Sequence, residues 1–216
     1  MKKIFCVFLL FAGFFACTQS NSQIPSGIDN TQYYLFYLHG KIVEDQGIHA
    51  SSERFGKYEY EKILNRLEKN NIKVISEPRP KGTDVESYST KVANQINDLI
   101  YSGVNPENIT VVGASKGSVI AMLISTKLAN PKLNFVLLAN CNNWVLENLT
   151  IDLHGDILSI YEKSDNIGRS CLSIKTSSSG VRKYNEVELT TGLGHGFIFQ
   201  PIDEWVLPTI EWATKQ

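Results

Sequence analysis

Four polar residues stand at or just past the ends of segments whose apolar, β-branched content predicts strands: His39, Ser115, Asp165 and His195. A serine hydroxyl is a poor nucleophile at neutral pH. An imidazole must take its proton, and a carboxylate must hold that imidazole in the right tautomer. Ser115 lies in "ITVVGASKGSVIAMLI", Ile109 to Ile124, between a predicted strand and an apolar predicted helix. A tight turn at that point needs small residues two before and two after the serine, and Gly113 and Gly117 meet the need. The hydroxyl then stands at a helix N-terminus, where the backbone N–H of Lys116 can stabilise an oxyanion. Other uses of these glycines fit poorly. A phosphate loop needs Gly-x4-Gly-Lys-Ser/Thr, and GASKGS has neither the spacing nor a lysine after its second glycine. A dinucleotide fingerprint needs three glycines where this stretch has two. The plain alternative is a tight turn with an incidental serine.

In its strand-to-helix setting, Gly113-Ala114-Ser115-Lys116-Gly117 resembles the nucleophile elbow of the α/β-hydrolase superfamily. The resemblance implies the chain order serine, then acid, then histidine. Two of the four histidines follow Ser115. His154 precedes a predicted strand, which puts it at the wrong end of a sheet. His195, in "GLGHGFIFQP", falls after the last predicted strand and before the terminal helix, where the superfamily carries its base; Gly192, Gly194 and Gly196 keep that loop compact. The acid is expected just beyond the strand ending at Tyr161. Asp165 matches that position and Glu162 is its rival. His39-Gly40, after the first predicted strand, also resembles the superfamily. There the pair opens the second half of the oxyanion hole, so the donor would be the N–H of Lys41 or of Gly40, with His39 shaping the loop. The bland readings are a structural loop histidine at 195, a hydrogen-bonded core histidine at 39 and solvated carboxylates at 162 and 165.

The elements that must position these residues follow from periodicity. Tyr33–Leu38, Ile72–Ile75, Ile109–Val112, Leu133–Ala139, Asp156–Tyr161 and Tyr184–Leu189 predict about six strands, the last near an edge. Helices are predicted over 57–69, over 83–102 with Thr83 and Glu86 as a capping box, after Gly117, and over 202–214 with a break at Pro208. Residues 41–55 predict a polar loop bordering the site, where Glu44, Asp45 and Arg54, with Arg79 facing the cleft from beyond the next strand, either bind a polar substrate or form an ordinary solvated rim, the plainer reading; Trp144 either walls a pocket or packs. Alternating strands and helices argue for an α/β fold, a mainly parallel sheet covered on both faces. The resemblance, which spans residues 33–216, implies a minimal α/β-hydrolase core. It would lack the superfamily's leading antiparallel pair and a separate cap domain.

The N-terminus reads differently. Lys2 and Lys3 precede an uncharged run from Ile4 to Ala16, too short for a stable membrane span. Phe14-Phe15-Ala16-Cys17 resembles a bacterial lipobox with Phe14 where leucine is preferred, implying a signal peptide over 1–16 and a lipid-anchored Cys17. A signal peptide cleaved without lipid, giving a soluble periplasmic or secreted protein, and a retained N-terminal anchor are the alternatives. Residues 17–32 then form a polar tether and 33–216 the hydrolase domain. The expected location is the bacterial cell envelope. Cys141 and Cys171 follow strands that are neighbours in the superfamily sheet, so the resemblance implies that they form a disulfide in an exported protein. No zinc-type Cys or His spacing occurs, and no cofactor is expected. A net charge of −1 makes no electrostatic case for nucleic acid. The chain thus reads as a serine hydrolase of a small ester, thioester or amide. A catalytically inactive hydrolase fold that binds an envelope partner is the alternative from another class.

Overall fold

In the computed structural model, residues 27–69 and 71–215 are described. The expected signal peptide and Cys17 lie outside them. The central sheet has six strands: β1 (Tyr33–Leu38), β4 (Ile72–Ile75), β5 (Ile109–Ala114), β6 (Asn134–Leu138), β7 (His154–Glu162) and β8 (Gly180–Leu189). Their spatial order is β4-β1-β5-β6-β7-β8, and every pairing is parallel. β8 is an edge strand, as its alternating pattern suggested, and it begins four residues before the segment predicted from sequence.

Parallel strands need crossovers, and the crossovers are helices that cover both faces. β1 shows how the residues divide. Tyr34, Phe36 and Leu38 join a core with α3 (Val85–Tyr101), α4 (Lys116–Leu128), α5 (Asn143–Asn148) and α6 (Leu172–Ser177). Leu35 and Tyr37 join the opposite core with α1 (Lys41–Gln46), α2 (Tyr60–Leu67) and α7 (Asp203–Thr214). The chain leaves β1 toward the second face and β5 toward the first. The space above the carboxyl ends of these two neighbours is therefore the point where the winding reverses, the usual place for a site in such sheets.

Several sequence expectations are corrected. Residues 41–55 are not one loop: α1 forms at once, and a two-stranded hairpin, β2 (Ser51–Ser52) and β3 (Gly56–Lys57), follows. α1 is short because only Val43 and Glu44 are buried on it, too few to show as an apolar stripe. α3 is capped by Asp84, whose carboxylate accepts the Ser87 N–H at 2.8 Å, and not by Thr83. α7 is continuous across Pro208, which removes one backbone donor from its interior. Residues 27–32, read as the end of a tether, lie against the domain: Ile28 packs on the first core and the Asp29 N–H bonds the Tyr34 hydroxyl at 3.0 Å. Among the described residues no helix is long and apolar enough to cross a membrane, and no cluster of three metal-ligating side chains occurs.

Candidate active site

Ser115 closes the step from β5 to α4 with φ 53° and ψ −115°, a conformation that L-residues occupy only under constraint. The neighbouring glycines are sterically obligatory. A Cβ on Gly113 would lie 2.4 Å from the Gly117 carbonyl oxygen. The turn is fastened from three sides. The Ser115 N–H donates to the Leu138 carbonyl at 2.9 Å, and Asn140 Nδ2 donates to the Ser115 carbonyl at 3.0 Å. The Ser118 hydroxyl, one turn into α4, bonds the Gly113 and Leu138 carbonyls.

His195 lies in a 3₁₀ turn, Gly194–Phe199, between β8 and α7. Its Nε2 is 3.0 Å from Ser115 Oγ and its Nδ1 is 2.7 Å from Asp165 Oδ2. The Asp165 side chain is sealed from solvent, and its other oxygen accepts the Ile167 N–H at 2.8 Å. Asp165, and not Glu162, therefore meets the imidazole. A carboxylate on Nδ1 fixes the proton there and leaves Nε2 as an acceptor for the serine hydroxyl. Phe55, from the hairpin, packs 6.2 Å from the His195 ring and sits so close to Gly196 that a Cβ there would be 2.9 Å from its ring.

Glu162 has another task. It is buried at the end of β7 and accepts from the Thr191 N–H and hydroxyl at 2.9 and 2.7 Å and from the Ser164 N–H and hydroxyl at 3.2 and 3.0 Å. The Ser164 hydroxyl in turn accepts the Gly194 N–H at 3.1 Å. Glu162 thus ties the loop of Asp165 to the loop of His195. Burial pushes its carboxyl pKa upward, and the bonds from Thr191 and Ser164 outweigh that and hold it below the ordinary glutamate value.

On the other side of Ser115, Gly40 precedes α1, and a Cβ on it would be in contact with the Ser115 Cβ at 3.8 Å. His39 is wholly buried. Its Nε2 accepts the Arg79 N–H at 2.8 Å, and its Nδ1 pairs with the Gly40 carbonyl at 2.8 Å. Burial first, and the Arg79 cation second, push its pKa down to about 4, so it is neutral at neutral pH and cannot act as a proton store. Lys41 and Lys116 are the first residues of α1 and α4. A first-turn N–H has no acceptor within its own helix, so both amides are available to a ligand.

Three other expectations resolve here. Cys141 and Cys171 form a disulfide. His154 opens β7, at the far end of the sheet from Ser115. Trp144, on α5, is 55% exposed rather than packed. Glu44 and Arg79, expected on a solvated rim, are both buried, at 4% and 2% exposure. Asn140 and Phe55 are not among the residues expected at the site. No local signal marked any of these four, since each gains its role from a partner distant in the chain.

No family model matches the chain, and no curated protein does. Solved structures do. Arabidopsis thaliana SOBER1 is similar with a TM-score of 0.57 at 14% identity, over 85% of this chain and 98% of its own. The Bacillus cereus carboxylesterase matches at 0.52 and 14%, over 88% of this chain and 92% of its own. The RedJ thioesterase from the prodiginine biosynthetic pathway of Streptomyces coelicolor matches at 0.54 and 10%, over 99% and 98%. The six-stranded parallel sheet with helices on both faces is the α/β-hydrolase fold of these neighbours.

Proposed function

We propose that the protein is a serine hydrolase that cleaves a small ester or thioester through an acyl-enzyme. The observation that carries this reading is the hydrogen-bonded chain from Ser115 through His195 to Asp165, standing at the N-terminus of α4. Ser115 Oγ attacks the carbonyl carbon while His195 Nε2 takes its proton. Asp165 stabilises the resulting imidazolium, which then protonates the leaving group. Water repeats the sequence and releases the acid. The carbonyl oxygen, now charged, is received by the N–H of Lys116 and the N–H of Lys41. The N–H of Gly40, the residue just before α1, is the alternative second donor. The names of the fold neighbours, a carboxylesterase and a thioesterase among them, support carbonyl chemistry of this kind.

For location, the reading is an exported protein held at the bacterial envelope through a lipid on Cys17. The strands are parallel, so Tyr33 opens β1 at the end of the sheet opposite Ser115. A tether leaving from that end would turn the candidate site away from the membrane.

The test is labelling with a fluorophosphonate, which modifies a serine only where base and oxyanion hole are assembled. The wild type should label, and Ser115→Ala and His195→Ala should not. A folded wild type that fails to label would remove the hydrolase reading.

A further inference from the structure

Glu44 is a carboxylate enclosed by protein, and none of the chemical steps above uses it. Its side chain and that of Arg79 are both inaccessible to solvent. Glu44 Oε1 accepts Lys116 Nζ at 2.7 Å and the Thr83 N–H at 3.1 Å, and its Oε2 faces Arg79 Nε at 3.4 Å. Lys116 Nζ also donates to the Thr83 carbonyl at 2.7 Å. Arg79 reaches onward, with Nη2 donating to the His39 carbonyl. Removing an ion from water costs several kcal/mol, and a well-packed apolar cluster of the same volume often does as well. Stability alone therefore gives a weak reason for these ions to be here.

Their placement gives a stronger one. Glu44 lies one turn beyond Lys41 on α1, and Lys116 begins α4. The Glu44–Lys116 pair joins the first turns of the two helices that begin beside Ser115, α4 at Lys116 and α1 directly after Gly40. Arg79 holds the preceding segment through the carbonyl and ring of His39. We infer that Glu44 is a positioning residue. Through Lys116 and Arg79 it sets the separation of α1 and α4 at which the Lys41 and Lys116 N–H groups converge on one carbonyl oxygen. This inference rests on the hydrolase reading. Its magnitude follows from the sensitivity of such sites: losing an oxyanion donor costs about 100- to 1,000-fold, and a displaced one costs part of that.

The experiment compares wild type, Glu44→Gln, Lys116→Met, the double variant and Lys116→Arg, each made as the full chain. Glutamine keeps the shape of Glu44, and methionine at 116 keeps the backbone N–H. The readouts are the rate of fluorophosphonate labelling, kcat and KM on p-nitrophenyl acetate, and the melting temperature. Each single variant should lower kcat and labelling by about 10- to 100-fold with KM within about threefold. The double variant should fall no further than the worse single, and Lys116→Arg should recover most of the rate. Should Glu44→Gln fail to fold, Lys116→Met decides, because the Lys116 side chain is 19% exposed and lies at the edge of the cluster. A labelled wild type whose folded variants label at the same rate, with only the melting temperature lowered, would overturn the inference and leave the hydrolase reading standing. An unlabelled wild type would overturn both.

Discussion

A Cβ on Gly117 would lie 1.9 Å from the carbonyl oxygen of Leu38. The first turn of α4 is thus pressed against the end of β1, and this contact brings Ser115 beside the Gly40 segment. No rotamer relieves such an overlap, because both parties are backbone. Gly117→Ala must push α4 away from β1. The expected result is a loss of stability of about 1–3 kcal/mol or more, with labelling of Ser115 reduced beyond what the unfolded fraction explains. Denaturant unfolding with labelling on the same sample checks it. Wild-type values of both would show that the close approach is not needed.

The two carboxylates at the end of β7 separate by function. Asp165→Asn keeps the shape of the loop but deprives Nδ1 of its acceptor, so kcat should fall by about 1,000- to 10,000-fold with little change in melting temperature. Glu162→Gln should do the reverse, with a loss of stability of about 1–3 kcal/mol and a smaller loss of rate. The pH dependence carries a sign. Because the folded pKa of Glu162 is below its ordinary value, its contribution is complete above the ordinary glutamate pKa and disappears as pH falls through the lowered one. The stability gap between wild type and Glu162→Gln should therefore close in acid. A gap that widened in acid would refute the assignment.

The meeting of Ser115, Asp165 and His195 was legible because each stands where a local pattern changes. Gly113 and Gly117 bracket a strand-to-helix turn, and Asp165 and His195 follow apolar runs that end in polar loops. Parallel topology then sends all three to one edge. The choice between Asp165 and Glu162 was not legible, since it is made by the Thr191 hydroxyl, 29 residues beyond Glu162. Glu44 and Arg79 were hidden for the same reason. They are 35 residues apart, and ionic residues in a polar stretch look solvated until the fold encloses them. α1 escaped notice because six residues with two inward positions leave no period to read.

His39 makes the fold sensitive to mild acid. A histidine whose folded pKa is pushed down to about 4 stays neutral while the unfolded chain takes up a proton near pH 6.5. Its contribution is complete above pH 6.5 and is lost as pH falls toward about 4, by on the order of 3 kcal/mol. Stability measured by denaturant should decline through that window, which begins well above the range where Glu162 acts. In His39→Gln the decline should be shallower, though the variant starts lower because the Arg79 N–H is less well met. An equal slope in both proteins would show that another group titrates.

The Cys141–Cys171 disulfide closes a loop with a sequence separation of 30 residues that contains the whole of β7 and the Asp165 loop. That loop is also pinned directly. The Arg169 N–H donates to the Asn140 carbonyl at 2.6 Å, and a Cβ on Gly168 would lie 2.5 Å from the backbone of Ala139. Asn140 itself holds the Ser115 carbonyl. The bond therefore braces a segment that touches both the serine turn and the acid loop. Loop entropy predicts that its removal costs about 3–4 kcal/mol, or roughly 10 °C in melting temperature for a chain of this size. Cys141→Ala with Cys171→Ala should show that loss in denaturant unfolding, and reduction of the wild type should reproduce it. Because the direct backbone contacts remain, labelling of Ser115 at 25 °C should fall only severalfold, far less than in Asp165→Asn. Complete loss of labelling in a folded double variant would mean that the disulfide, and not the packing of Gly168 on Ala139, holds Asp165 in place.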